Sequence, residues 1–368
     1  MPPTDAATIA AIRALDPLCQ APAAGPPPPW LAAPAGRKTR YTHPVRPTEG
    51  RGDALTDQRG LPVSVVAGAE DGPLLLLIAG EHGNEYENIA ALNDLIDGLE
   101  PQRLKGRVVG VHCSSVDAYL DRARLAPSDG QNLARCYPGS PDGSLTERVA
   151  YTLQHDFLER PGARPVLLVA LHTYGPRLQG ATLSGFNVYP DEPAFTDRQR
   201  QASIASGLPL VWGHEFDAAF AASTPLGDDA NGRTAMYAAF LAGVPSVYWE
   251  TTWGVGNEDE YRLALRRLLA HLGMLPAPDG ARPQPRARVE SVGHGAGNMA
   301  AHNHAPVAGL WRPAAQIWDR VRPGDPLGAI QGLHGEELAR VTAQREGLLI
   351  ALPRLGYVSA GEQCGIVV

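Results

Sequence analysis

The chain predicts an α/β layered sheet carrying a small all-β module, on three observations. Short apolar runs alternate with segments of helical periodicity from Arg40 to about Leu275, the pattern of strands and helices laid in layers. The stretch 276–285, Pro-Ala-Pro-Asp-Gly-Ala-Arg-Pro-Gln-Pro, is a linker by composition. Beyond it, short runs are separated by turn residues such as Arg322-Pro323-Gly324-Asp325-Pro326 and the stretch 356–361, as in a compact β module. The expected divisions are an Ala/Pro-rich extension over 1–37, a main domain over 38–275, a linker over 276–285 and a β module over 286–368.

Within the extension, Ala6 to Leu15 reads as a short helix, and the segment around Pro26-Pro27-Pro28-Pro29 as polyproline-type chain. Strand candidates follow at 63–66, 74–78, 108–113, 166–171, 186–189, 208–212 and 246–250. The run Leu74-Leu75-Leu76-Leu77-Ile78 ends at a glycine and has no polar face, so it reads as a strand buried on both sides. Helix candidates lie at 86–99, 145–157, 197–205, 233–241 and 259–272. The first has apolar residues at Ile89, Leu92, Leu95, Ile96 and Leu99, one face of a helix. Ser144 and Glu147 form a capping-box pair opening the second. Asn257 and Gly273 suit the two ends of the last.

Composition narrows the function classes. A length of 368 residues fits two domains, or one large domain with an appendage. A net charge of −7, without any cluster of Lys and Arg, argues against a nucleic-acid partner. The longest apolar run is too short to span a bilayer, so no membrane partner is expected. Met1-Pro2-Pro3-Thr4-Asp5 lacks the basic start and apolar stretch of a secretory signal, so a cytoplasmic protein is expected. Cys19, Cys113, Cys136 and Cys364 have no Cys-x-x-Cys spacing, which indicates neither a disulfide framework nor a thiolate metal site. Cys136, near the chemistry described next, reads as structural rather than nucleophilic.

The most informative residues are His82 and Glu85, in Gly80-Glu81-His82-Gly83-Asn84-Glu85. They sit where the apolar strand gives way to the first helix of the main domain. A His and a Glu three apart at such a turn can point the same way, and zinc hydrolases commonly combine two His and one Glu around an open position. His172, directly after the apolar run 165–171, is the best third ligand, because ligands of open α/β sheets gather outside the carboxyl ends of strands. Glu250 ends a third apolar run and is the candidate proton carrier. His-x-x-Glu is a weak pattern on its own: His334-Gly335-Glu336-Glu337 repeats it with no buried strand ending there, and is read as surface.

His82-Gly83-Asn84-Glu85, then Asp129-Gly130-Gln131-Asn132-Leu133-Ala134-Arg135-Cys136-Tyr137-Pro138-Gly139, then Leu171-His172, then Glu250, occur in that order. In this order and spacing the chain resembles the succinylglutamate desuccinylase/aspartoacylase branch of the zinc carboxypeptidase-like superfamily, over about residues 40 to 368. The resemblance implies a three-layer α/β/α catalytic domain with a mixed sheet, followed by the β module. It implies one Zn²⁺ per chain held by His82, Glu85 and His172, with water activated at the metal as nucleophile and Glu250 as general base and acid. It places Arg124 at the scissile carbonyl, with Arg122 as the fallback. Arg135 falls on a substrate carboxylate, where a planar fork bonds both oxygens, and Asn132 and Tyr174 join it as substrate-binding candidates. The implied reaction is hydrolysis of the amide of a small N-acyl amino acid or N-acyl amine, and the resemblance leaves room for a homo-oligomer.

Two positions depart from the family pattern. Ala134 stands where relatives usually have Asn, removing one polar contact to substrate and suggesting an altered substrate. Ala170 stands where relatives often have an Asp that orients a metal ligand. The β module resembles lipoyl and biotinyl carriers around 319–328, yet the chain's only lysines, Lys38 and Lys105, lie outside it, so no cofactor is attached there. Its expected work is to wall the active-site mouth or to build an interface. His294, His302 and His304 form a rival cluster in the Gly/Ala-rich stretch that joins the domains. The alternatives to a deacylase are a metallocarboxypeptidase acting on peptides, and a non-catalytic zinc-fold protein that binds a ligand.

Overall fold

The computed structural model describes residues 6–19, 28–46, 60–227, 232–254, 256–278, 283–293 and 295–368. Its centre is a nine-stranded mixed sheet of β1 (Arg37–His43), β2 (Leu61–Ala67), β3 (Glu70–Ile78), β4 (Lys105–Val111), β5 (Leu167–Leu171), β7 (Leu183–Val188), β8 (Leu210–Glu215), β9 (Ser246–Glu250) and β10 (Ala287–Ser291). They are ordered β1-β2-β4-β3-β5-β9-β7-β8-β10. The four central strands β4, β3, β5 and β9 are mutually parallel, so their carboxyl ends share one edge. β7 runs antiparallel to β9.

Helices cover both faces. Tyr86–Gly98, Pro193–Ser206 and Glu258–His271 pack on one side through Leu92, Leu95, Ala205, Leu265 and Leu268, against Leu75, Leu77, Val169 and Val247 of the strands. Leu145–Leu153, its π-helical continuation Gln154–Leu158 and Ala235–Leu241 pack on the other, against Leu76, Ile78, Leu168 and Ala170. Alternate residues of β3 therefore feed opposite cores, as a strand without a polar face must. Cutting one such leucine to alanine costs about 2–5 kcal/mol.

Several sequence expectations meet the structure closely. The helix Ala6–Leu15 forms as expected, while residues 20–27 of the proline-rich segment lie outside those described. Ser144 and Glu147 make both bonds of the capping box. Gly273 has φ 72 just past the last helix. Asn257 does not cap that helix with its side chain, because its amide donates to Thr251 Oγ1 at 2.7 Å instead. The helix expected from 197 begins at Pro193, a residue preorganised for a first turn.

β1 was not expected, since Arg37, Lys38 and Arg40 disguise its alternation; it forms as an exposed edge strand, where charges are tolerated. The division drawn at 286 also differs from what is seen. β10 adds to the edge of the large sheet beside β8, so the β module proper begins later.

That module has two antiparallel sheets. β11 (Gly309–Pro313), β13 (Pro326–Gln331), β14 (Glu337–Thr342) and β16 (Gly356–Val358) form one; β12 (Arg320–Val321), β15 (Gly347–Pro353) and β17 (Ile366–Val367) form the other. β6 (Leu178–Gly180), from the loop after β5, pairs with β15. This ladder stitches the module to the main domain just beyond β5 and His172. No described helix is long and apolar enough to cross a membrane.

Candidate metal centre

The parallel strands deliver three candidate residues to one edge: His82 beyond β3, His172 directly after β5, and Glu250 as the last residue of β9. Two glycines shape the first turn. Gly80 takes the left-handed conformation, φ 63. A Cβ at Gly83 would lie 2.0 Å from the Ala118 carbonyl carbon, so only glycine lets this turn pack on the short helix Val116–Leu120. Hydrogen bonds tie the turns together. Thr173 N donates to Glu85 Oε2 at 2.8 Å, Asn88 Nδ2 to the Leu171 carbonyl at 2.9 Å, and Tyr261 Oη to the His172 carbonyl at 2.8 Å.

Donor atoms of His82, Glu85 and His172 converge to within 4.8 Å of one another, and all three side chains are buried. The two imidazole rings are 5.3 Å apart between centroids. Among the described residues no other group of three such side chains converges in this way. His82 Nδ1 is enclosed and has no hydrogen-bond partner, although buried polar atoms are ordinarily satisfied. Burial, then the nearby Arg124, His172 and Arg135, holds His82 well below the usual imidazole range; it is neutral, as a metal ligand must be. Burial opposes charge on His172 too, but hydrogen bonds to Glu81 and Glu85 outweigh it and push that ring upward. A position that already stabilises positive charge, beside an orphaned imidazole nitrogen and a carboxylate, fits one divalent cation, and two His with one Glu fit zinc.

Glu250 stands beside this cluster with its Oε2 enclosed and unpartnered. Burial and the repulsion of Glu85 push its carboxyl up to about 8, against the opposing pull of His172 and Arg124. A carboxyl so placed can hold and release a proton near neutrality.

A cavity of about 870 Å³ opens over the cluster. Arg124 and Arg135 both line it. Arg124 is half exposed, with Nη1 3.3 Å from Glu85 Oε1; Arg122, the fallback, is not in the wall. Ala134, one of the two departures, also lines the cavity. Asn132 does not reach it. Its Oδ1 accepts from Ala134 N at 3.1 Å, which shapes the turn that carries Arg135. Tyr174 lines the cavity with its ring, but its hydroxyl donates to the Ala181 carbonyl at 2.8 Å. Cys136 is fully buried outside the wall, and burial pushes its thiol up to about 12, which agrees with a structural role.

The β module supplies the outer wall, through Arg354, Tyr357 and Glu362. His304 also lines the cavity, His302 does not, and His294 lies outside the described residues. Sequence reasoning missed two groups. Glu81, adjacent to His82, faces His172 with Oε2 2.9 Å from Nε2. His214 and Tyr248 form a buried pair on the cavity floor, Nε2 to Oη 3.2 Å. A charged residue directly before a candidate ligand was the available signal for the first; the second has none in one sequence.

Residues 71–208 match the model of the succinylglutamate desuccinylase/aspartoacylase catalytic domain. The likeness is to the same family that the order of the motifs suggests. It is 27% identical over 319 residues to an N-alpha-acetyl-L-2,4-diaminobutyric acid deacetylase of Halomonas elongata, covering 83% of this chain and 85% of that one. Among solved structures it resembles the product-bound ectoine utilization protein EutE (DoeB) of Ruegeria pomeroyi, at TM-score 0.74 and 23% identity over 92% of this chain and 97% of that one. It also resembles a family member from Rhodobacter sphaeroides, at TM-score 0.70 and 24% identity over 90% of this chain and 94% of that one. The structural likeness places the chain in the layered α/β fold that the sequence predicts.

Proposed function

We propose that this protein is a zinc-dependent deacylase that hydrolyses the amide bond of a small N-acyl amino acid or N-acyl amine. The observation that carries the reading is the convergence of His82, Glu85 and His172 beside the unpartnered carboxyl of Glu250. The deacetylase of Halomonas elongata acts, by its name, on an N-acetylated amino acid, which supports the same reaction class here.

His82, Glu85 and His172 are the residues that would hold zinc. When bound, the ion supplies Lewis acidity at the scissile carbonyl and lowers the pKa of water. The rest is done by the chain. Glu250 takes the proton of the attacking water and returns it to the leaving nitrogen, which is why a carboxyl raised toward neutrality suits the task. Arg124, which lines the cavity with Nη1 3.3 Å from Glu85 Oε1, polarises the carbonyl oxygen in this reading. Arg135 offers a fork to a substrate carboxylate. The β module contributes Arg354 and Tyr357 to the cavity wall, and a wall there favours small substrates over long peptides.

The test is a panel of N-acyl amino acids, N-acyl amines and short peptides given to the zinc-loaded full chain. Release of free acid from small N-acyl amino acids or amines, with peptides left intact, is expected. Release of C-terminal residues from the peptides would replace this reading with a carboxypeptidase. No cleavage of any amide by a zinc-loaded protein would leave a binding protein.

A further inference from the structure

We infer that Glu81 is a positioning residue for His172, fixing which ring nitrogen that histidine presents to the metal. The inference rests on the metal reading above and concerns a residue to which that reading gives no part.

Glu81 is 2% exposed, a burial that a carboxylate tolerates only when its oxygens are paired. Both are. Oε2 lies 2.9 Å from His172 Nε2, and Oε1 accepts from the Tyr137 hydroxyl at 2.7 Å. Tyr137 is itself fully buried and cannot swing away. Its backbone is clamped to Arg233: Tyr137 N donates to the Arg233 carbonyl at 3.2 Å, and Arg233 Nη1 donates to the Tyr137 carbonyl at 3.2 Å.

The geometry has one consequence for the imidazole. With Nε2 committed to Glu81, the nitrogen left to face Glu85 is Nδ1, 3.5 Å from Oε2. Nδ1 is then the nitrogen that this ring can offer beside Glu85. A carboxylate on the far nitrogen of a ligating histidine fixes its tautomer and ring angle and raises its basicity. Ala170, two residues earlier on the same strand and buried in the core, has no carboxylate to offer. Glu81 reaches the ring from the neighbouring strand end instead.

The experiment measures zinc affinity of the full chain by competition with a chelator of known affinity, for the unaltered protein, Glu81→Gln, Glu81→Ala and Tyr137→Phe. Far-UV circular dichroism and the Tm of each metal-free protein report folding. Glu81→Gln keeps the shape and removes the charge, so it decides the matter if the alanine variant does not fold. Removing this partner is expected to weaken zinc about 10–100-fold, with Tyr137→Phe intermediate. Cobalt substituted for zinc should show altered visible absorption in the Glu81 variants, a signature that a purely structural role leaves unmoved. Zinc bound as tightly by folded Glu81→Gln as by the unaltered chain overturns the assignment while leaving the metal reading intact. An unaltered chain that takes up no zinc overturns both.

Discussion

His82 with Glu85 and His334 with Glu337 are the same two residue types at the same spacing, and the protein treats them in opposite ways. The first pair is buried at a strand end and meets a third donor from a separate strand. The second is exposed, with His334 in the turn after β13 and Glu337 opening β14, where it pairs with Arg340 three residues on. A ligand set needs side chains brought together from distant parts of the chain and shielded from water; spacing along the sequence supplies neither. The parallel sheet supplies both, because β3, β5 and β9 end on one edge.

The sharpest way to break this comparison is catalytic. Glu250→Gln should lower kcat by about 10²–10⁴-fold while zinc content stays the same, whereas Glu337→Gln should change neither. Initial rates on the best substrate of the panel, with metal analysis of each variant, check it. Equal losses in both variants would show that burial beside the cluster is not what matters.

Next is stability. Asp16 and Arg233 form a buried pair, Oδ2 to Nη1 2.8 Å, and the Tyr237 hydroxyl donates to the same Asp16 oxygen at 2.8 Å. Through it the N-terminal helix is joined to Arg233, which in turn clamps Tyr137. Asp16→Ala leaves Arg233 charged and enclosed, and should cost about 3–5 kcal/mol in urea unfolding. Breaking the exposed pair of the second copy with Glu337→Gln should leave the unfolding midpoint unchanged. A midpoint shift of similar size in both would contradict the contrast.

The smallest effect is on pH dependence. Burial holds His214 down to about 4, from an ordinary 6.5. Its folded pKa lies below its unfolded one, so the unfolded chain gains a proton first as pH falls. The contribution to stability is therefore intact above about pH 6.5 and is lost progressively toward about pH 4, by up to about 3 kcal/mol. His214→Gln should flatten the stability curve in that window by up to one proton's slope. An unchanged slope would mean that His214 titrates normally.

The sheet and the candidate ligand cluster were legible because their signals are local: apolar runs that stop at Gly80, before His172 and at Glu250 are both the strands and the markers of their carboxyl ends. β1 was hidden because its outward residues are Arg and Lys, which on an edge strand are acceptable but look like loop. The join between main sheet and module was hidden for another reason. β6 pairs with β15 across some 170 residues of chain, and β10 finds the sheet edge only once β8 is in place; neither partnership leaves a mark in its own segment. Asn132 shows the opposite case, a residue that the motif puts at substrate, whose Oδ1 accepts from the backbone beside it and which does not line the cavity. Glu81 stood in full view within the motif, yet its partners Tyr137 and His172 come from other segments and only folding brings them to it.

The measurement that bears most directly on the central claim is zinc content after dialysis, for the full chain and for His82→Ala, Glu85→Ala, His172→Ala and His334→Ala. One zinc per chain should remain in the unaltered protein and in His334→Ala, and be lost from the other three. Equal zinc in all five, or loss from His334→Ala alone, would contradict a metal centre built on the edge of the parallel sheet.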